Sequence, residues 1–182
     1  MKKATILLAA VVAAGAVLQA QSVFFSNEAA RIGTPAPVYD ADVFTKLSGT
    51  AFWVELYLIQ TGGTLSPVGE PIHFETGPSA GFFNDPTPRL VPAAANSSVA
   101  LQVGAWTAPY ATLNDAQQHP DARWGLSLIV PVQLGNDSAV PPNPPATLTG
   151  LQSFSFFVDS PEPPTLALAA IGVGMLLVFR RR

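Results

Sequence analysis

The chain has 182 residues, of which 48% are hydrophobic and only 12% charged, with a formal net charge of −3 and no cysteine. That length accommodates one domain with short appendages rather than two sizeable domains. The absence of cysteine excludes disulfides, thiolate metal sites and cysteine nucleophiles. Five of the nine basic residues (Lys2, Lys3, Arg180, Arg181 and Arg182) lie at the extreme ends, and all twelve acidic residues lie between them. The interior therefore carries four basic residues against twelve acidic ones, a net charge of about −8. A domain this acidic repels phosphate backbones, which argues against a nucleic-acid partner.

At the N-terminus, Lys2 and Lys3 precede an apolar stretch from Ala4 to Ala14, and small residues follow as far as Ala20. A charged start, an apolar centre and a small-residue exit form the layout of a secretory signal peptide. Residues 1–20 are assigned to it, with cleavage between Ala20 and Gln21; cleavage after Ala16 is the competing position. The segment implies handling by the Sec machinery and signal peptidase, and it is excluded from the fold.

Residues 21–159 are expected to form an ectodomain. Stretches of strand length recur, bounded by Gly, Pro, Asn and Asp. Residues 22–25 open it. Residues 50–60 alternate, with Phe52, Val54, Leu56 and Leu58 on one face and Trp53, Glu55, Tyr57 and Ile59 on the other. Thr61-Gly62-Gly63 marks a turn, and residues 71–75 form a short further candidate. Residues 98–106 place Val99, Leu101, Val103 and Ala105 on one face. Leu126, Leu128, Val130, Val132 and Leu134 repeat the pattern, and Pro131 assigns that strand to a sheet edge or a bulge. Residues 110–119 are the one helical candidate, with Asn114-Asp115 unfavourable to it. Phe154, Phe156 and Val158 belong to a closing strand over 152–158. The pattern predicts an all-β fold, a β-sandwich of roughly six to eight antiparallel strands.

The C-terminal residues 160–182 differ in kind. Pro161-Glu162-Pro163-Pro164 is followed by an uninterrupted apolar run from Leu166 to Phe179 and then by Arg180, Arg181 and Arg182. A helix over this run spans about 21 Å at about 1.5 Å per residue, short of the roughly 30 Å hydrocarbon core. Extension to residues 164–179, snorkelling arginines and some bilayer thinning bring it within range. The basic tail 180–182 orients it with the arginines on the cytoplasmic side. The precursor is thus expected to cross the membrane as a hairpin, with both charged ends inside and the ectodomain outside.

Pro161-Glu162-Pro163, the short apolar helix and the terminal arginines together resemble the tripartite PEP-CTERM sorting signal of exported Gram-negative bacterial proteins. The resemblance covers about the last 22 residues. It implies recognition and processing near Pro161, Glu162 and Pro163 by an exosortase, a multi-spanning membrane enzyme. It also makes exopolysaccharide a candidate partner. Pro164 departs from the family pattern, which usually has a small residue there.

Elsewhere the chemistry is sparse. His73 and His119 are not at metal-ligand spacing with another donor. No G-x-S-x-G, H-E-x-x-H or phosphate-cradling glycine loop is present. Asp40-Ala41-Asp42 offers oxygen ligands of the kind calcium takes, without a regular ligand loop. Trp53 and Tyr57, two apart on one strand face, are candidate glycan contacts. No catalytic residue, metal or cofactor is assigned. The leading expectation is a non-enzymatic structural or adhesive protein, anchored at the surface or associated with exopolysaccharide. The alternatives are an extracellular carbohydrate-binding module, which needs its aromatics exposed in a row, and a secreted hydrolase, which needs two facing carboxylates.

Overall fold

The computed structural model describes residues 21–136 and 143–157. The N-terminal residues 1–20, and residues 158–182 with Pro161, Glu162, Pro163 and the three arginines, lie outside them. Among the described residues no helix is long and apolar enough to cross a membrane.

The described chain is mostly β. Its strands are β1 (Gln21–Phe24), β2 (Val38–Tyr39), β3 (Phe52–Ile59), β4 (Leu65–His73), β5 (Arg89–Val91), β6 (Ser98–Thr107), β7 (Trp124–Leu126), β8 (Val130–Gln133), β9 (Ala146–Thr147) and β10 (Phe154–Ser155). Two short helices, α1 (Ala29–Ile32) and α2 (Leu113–Gln117), interrupt them. A five-stranded antiparallel sheet has the order β4-β3-β6-β7, with β8 also paired to β6. Two smaller sheets are β5-β1-β9 and β10-β2. The expectation of six to eight antiparallel strands is corrected in two respects: there are ten described strands, and β1–β9 and β2–β10 pair in parallel. Both parallel pairings involve two residues on each strand. They are brief meetings of long connections with the sheet rather than hairpins.

The alternation in β3 and β6 sets the core. Val54 lies opposite Ala105, Leu56 opposite Val103 and Leu58 opposite Leu101. All six are buried and join Val23, Phe25, Val38, Val91, Leu148 and Phe156 from the smaller sheets and loops in one core. Side chains on the reverse face, Trp53, Tyr57 and Trp106, enter a second cluster with Leu113, Ala116 and Ala122 from the segment carrying α2. The large sheet is thus covered on both faces in its central part.

Local chemistry explains where sequence and structure part. β4 begins at Leu65 rather than at residue 71, in spite of Pro67, Gly69 and Pro71. It is an edge strand, where a missing N–H costs no ladder bond, and its register with β3 shifts between Val54 and Leu56. The run from Leu126 to Leu134 is broken into β7 and β8. Ser127 interrupts it: its hydroxyl accepts from the Val103 N–H at 3.0 Å and donates to the Leu128 carbonyl at 2.8 Å. Leu128, expected to face inward, is consequently 66% exposed. Pro131 does lie in an outer strand, opposite Ala100. The helical candidate narrows to α2, where the Thr112 hydroxyl accepts from the Asp115 N–H at 3.0 Å. Asp115 therefore suits the helix start, where a carboxylate meets the positive end of the dipole.

Candidate functional site

The aromatic face of β3 does not present the predicted glycan platform. Tyr57 is only 6% exposed. Its ring lies over Gly104, where an added Cβ would stand 2.9 Å from Tyr57 Cε2, so a residue without a side chain makes room for it. The Tyr57 hydroxyl donates to the Glu55 carboxylate within the buried layer. Burial raises the Glu55 pKa, against the stabilising hydrogen bond from Tyr57. Burial also raises the Tyr57 pKa, followed by its contact with Glu55. Trp53 is half-buried and stacked on His73, with ring centroids 3.6 Å apart. His73 Nδ1 in turn donates to the Phe52 carbonyl at 2.9 Å. An exposed row of aromatics is therefore absent here, because the segment carrying α2 packs on the face that alternation assigns to solvent.

The two aspartates considered for calcium hold a loop instead. Asp42 Oδ1 accepts from the Phe44 and Thr45 N–H groups at 2.9 and 2.8 Å, and the Thr45 hydroxyl donates to Oδ2 at 2.5 Å. The Thr45 hydroxyl is the leading cause of a lowered Asp42 pKa. Asp40 forms an ion pair with Arg123. Among the described residues no group of three or more His, Asp or Glu side chains is placed to hold a metal. His119 lies beside Asp115, 3.6 Å from its carboxylate, on the protein surface.

A feature missed by sequence reasoning lies where the described chain ends. The Phe156 N–H donates to Tyr39 O and the Phe157 N–H to Trp124 O, at 3.1 and 2.9 Å. These bonds tie the end of the domain to β2 and β7. Trp124 and Phe157 meet edge to face at 4.7 Å. Beside them is a shallow depression of about 260 Å³ lined by Ala41, Asp121, Arg123, Trp124 and Phe157 among others. Asp121 is its one carboxylate, and a hydrogen bond from Tyr110 lowers the Asp121 pKa. The depression beside Tyr57 is lined by no carboxylate. Neither assembles the facing pair that glycoside hydrolysis requires. The clue available in sequence was Trp124 within an irregular acidic and basic stretch, which has no period to read.

Of the processing residues, Gln21 begins β1 and is buried. Ala20, Pro161, Glu162, Pro163, Arg180, Arg181 and Arg182 lie outside the described residues. Comparison with protein families, curated proteins and solved structures yields no match.

Proposed function

We propose that this is an exported, non-enzymatic envelope protein whose C-terminus is processed by an exosortase, and that its β domain serves a structural or adhesive role at the cell surface or in exopolysaccharide. One observation carries the reading: Pro161-Glu162-Pro163, the apolar run 166–179 and Arg180-Arg181-Arg182 stand in that order at the C-terminus. A Pro-Glu-Pro triplet alone has no such meaning. Its position beside an apolar run of nearly membrane-spanning length that ends in three arginines supplies it. The Lys2-Lys3 start with its apolar continuation supports export by the Sec route. The precursor is then anchored in the inner membrane, with the β domain on the far side.

The finer architecture proposed is a β-sandwich, with the five-stranded sheet as one layer and the strands β1, β2, β5, β9 and β10 as the other. The core shared by Val54, Leu56, Val103, Val23, Val38 and Val91 supports it. The alternative of a carbohydrate-binding module loses its original basis with the burial of Tyr57.

The test is the intact mass of the protein purified from its own host, with and without the exosortase gene. The reading expects a mature chain starting at Gln21. It also expects truncation near residues 161–163 only when the enzyme is present. A C-terminus at Arg182 in both strains refutes exosortase processing and leaves a membrane-anchored β domain.

A further inference from the structure

The end of the domain from which the chain leaves is also where it exposes large apolar side chains on a fixed loop. Phe44 is 83% exposed, Val43 55% and Phe157 51%. The loop between β2 and residue 46 is closed by a bridge between Tyr39 and Lys46 and by the Asp40 N–H bond to Thr45 O. Its tip is held by Asp42, which accepts from the Phe44 and Thr45 N–H groups. The Asp40–Arg123 ion pair fastens its base to the segment before β7. The loop lies against the chain exit on two sides. Ala41 shares a depression with Phe157, and Val43 shares another with Ser153, Phe154 and Ser155.

Val43 sits at φ 59°, a left-handed conformation that a β-branched residue adopts only with strain. Burial does not offset that strain, because more than half of the side chain faces solvent. Glycine or asparagine would form the same turn without strain. The turn therefore presents apolar atoms outward at a conformational cost.

The length of chain beyond Phe157 points to what those atoms meet. Eight residues, 158–165, separate Phe157 from the apolar run. Fully extended, they reach at most about 29 Å. With residues 166–179 in a bilayer, the exit end of the domain stays close to the membrane surface and cannot diffuse away from it. The opposite end of β3, at the Thr61-Gly62-Gly63 turn, lies about 23 Å from its Phe52 end for a strand of eight residues. Phe52, at the near end of β3, packs on Phe156 with ring centroids 5.7 Å apart.

We infer that Val43 and Phe44, with Phe157 beside them, dock the β domain onto the outer surface of the bilayer that holds its own C-terminal segment. The bilayer should be zwitterionic. The loop's Asp40 is paired with Arg123, and the exposed Lys46 at its base offsets one of the remaining carboxylates, Asp42 and the neighbouring Asp121, so the patch keeps a small negative charge that disfavours anionic headgroups. The tether makes the contact effectively intramolecular, so a few apolar side chains suffice where a free domain would need a larger surface. Docking would also hold Pro161, Glu162 and Pro163 near the headgroups, within reach of a membrane-embedded enzyme. The inference rests on the reading of residues 166–179 as a membrane anchor.

The chain has no cysteine, so single-site labels can be placed without background. Residues 21–182, the exported form before C-terminal processing, are reconstituted at one copy per phosphatidylcholine nanodisc, so that neither the signal peptide nor a second copy affects the patch. The same environment-sensitive fluorophore is attached to Phe44→Cys, Thr61→Cys or Ala169→Cys, and quenching by nitroxide on the upper acyl chains is measured. Phe44 is too exposed for its replacement to threaten the fold. The expected result is strong quenching at 169, quenching at 44 at least about threefold above that at 61, and little at 61, since an interfacial group sits within about 5–10 Å of the acyl boundary. Quenching at 169 with none at 44 overturns docking and leaves the anchor standing. Equal quenching at 44 and 61 overturns the orientation claimed. Absence of quenching at 169 removes the anchor, and the docking inference falls with it.

Discussion

Replacing Tyr57 by phenylalanine isolates one hydroxyl in the buried layer between the large sheet and α2. In the native protein that hydroxyl donates to the Glu55 carboxylate, and both residues are less than a tenth exposed. The substitution keeps the ring over Gly104 and leaves a buried carboxylate without this donor. A hydrogen bond to a charged group contributes about 1.5–3 kcal/mol, and an unsatisfied buried partner raises the cost, so we expect a loss of about 2–3 kcal/mol at pH 7. With a urea slope of about 1–3 kcal/mol/M, the unfolding midpoint should fall by about 0.7–3 M at unchanged slope. The measurement is urea unfolding of the full chain in a non-ionic detergent, followed by tryptophan fluorescence, to which the fully buried Trp106 contributes.

The effect should also depend on pH in a fixed direction. Burial raises the Glu55 pKa above its value in the unfolded chain, so between those two values the native state holds a proton that the unfolded state releases. The contribution of Glu55 to stability is therefore greatest below the unfolded value and declines as pH rises through the folded one. Glu55→Gln should remove that decline and make the protein at least as stable as wild type at pH 7. In the Glu55→Gln background, Tyr57→Phe should cost only about 1 kcal/mol, as for a neutral hydrogen bond. A Tyr57→Phe protein within about 0.5 kcal/mol of wild type at pH 7 would refute the assignment of this pair as a coupled buried bond.

Two further substitutions test how the irregular segments are held. Asn27 is fully buried; its Nδ2 donates to Ala36 O and Gly81 O at 2.8 and 2.9 Å, and its Oδ1 accepts from the Phe83 N–H at 2.8 Å. Asn27→Ala should cost about 3–5 kcal/mol in the same urea experiment, because it removes three buried hydrogen bonds and strands Ala36 O and the Phe83 N–H, while Gly81 O keeps its bond from the Val38 N–H; a loss below about 1 kcal/mol would mean that water replaces the side chain freely. A Cβ on Gly125 would stand 2.5 Å from Ser155 O, a backbone atom that cannot rotate away. Gly125→Ala should therefore separate β7 from the chain end, and hydrogen exchange should accelerate at Phe157 N–H, which donates to Trp124 O. Unchanged protection at Phe157 would show that the contact is slack.

How much was legible in sequence follows from the range of the forces involved. β3 and β6 are long, regular strands, so alternation alone placed Val54, Leu56, Leu101 and Val103 on the core side. The Thr61-Gly62-Gly63 turn was readable because φ values of 95° and 85° demand glycine at its centre. β4 was hidden by its prolines, which only its edge position makes harmless, and edge position is not a local property. β2, β9 and β10 are two residues each, set by what the loops meet and not by their own pattern. The same limit applies to the sites. Asp40 and Asp42 invited a metal reading, yet Arg123, 83 positions away, and Thr45, three away, take up their oxygens. Phe44 carried no signal at all, since one exposed phenylalanine in a sequence is indistinguishable from a buried one.

Alternation identifies two faces of a strand but not what covers the second. On β3 the second face bears Trp53, Glu55 and Tyr57, a composition that suits a ligand platform. The structure spends it on internal contacts: Tyr57 with Glu55, Trp53 with His73, and the α2 segment overhead. Burial on both faces helps to explain how a small domain can carry few charges yet leave few large apolar side chains exposed. Those left, Phe44 above all, then call for a reason of their own. Three of the six among the described residues lie on the Asp40–Thr45 loop and at the chain exit, on the side from which the sequence continues toward residues 166–179. A ligand-binding role would place exposed aromatics on the rigid sheet. On the proposed reading of residues 166–179 as an anchor, Val43, Phe44 and Phe157 serve attachment, while the central part of the large sheet is covered on both faces.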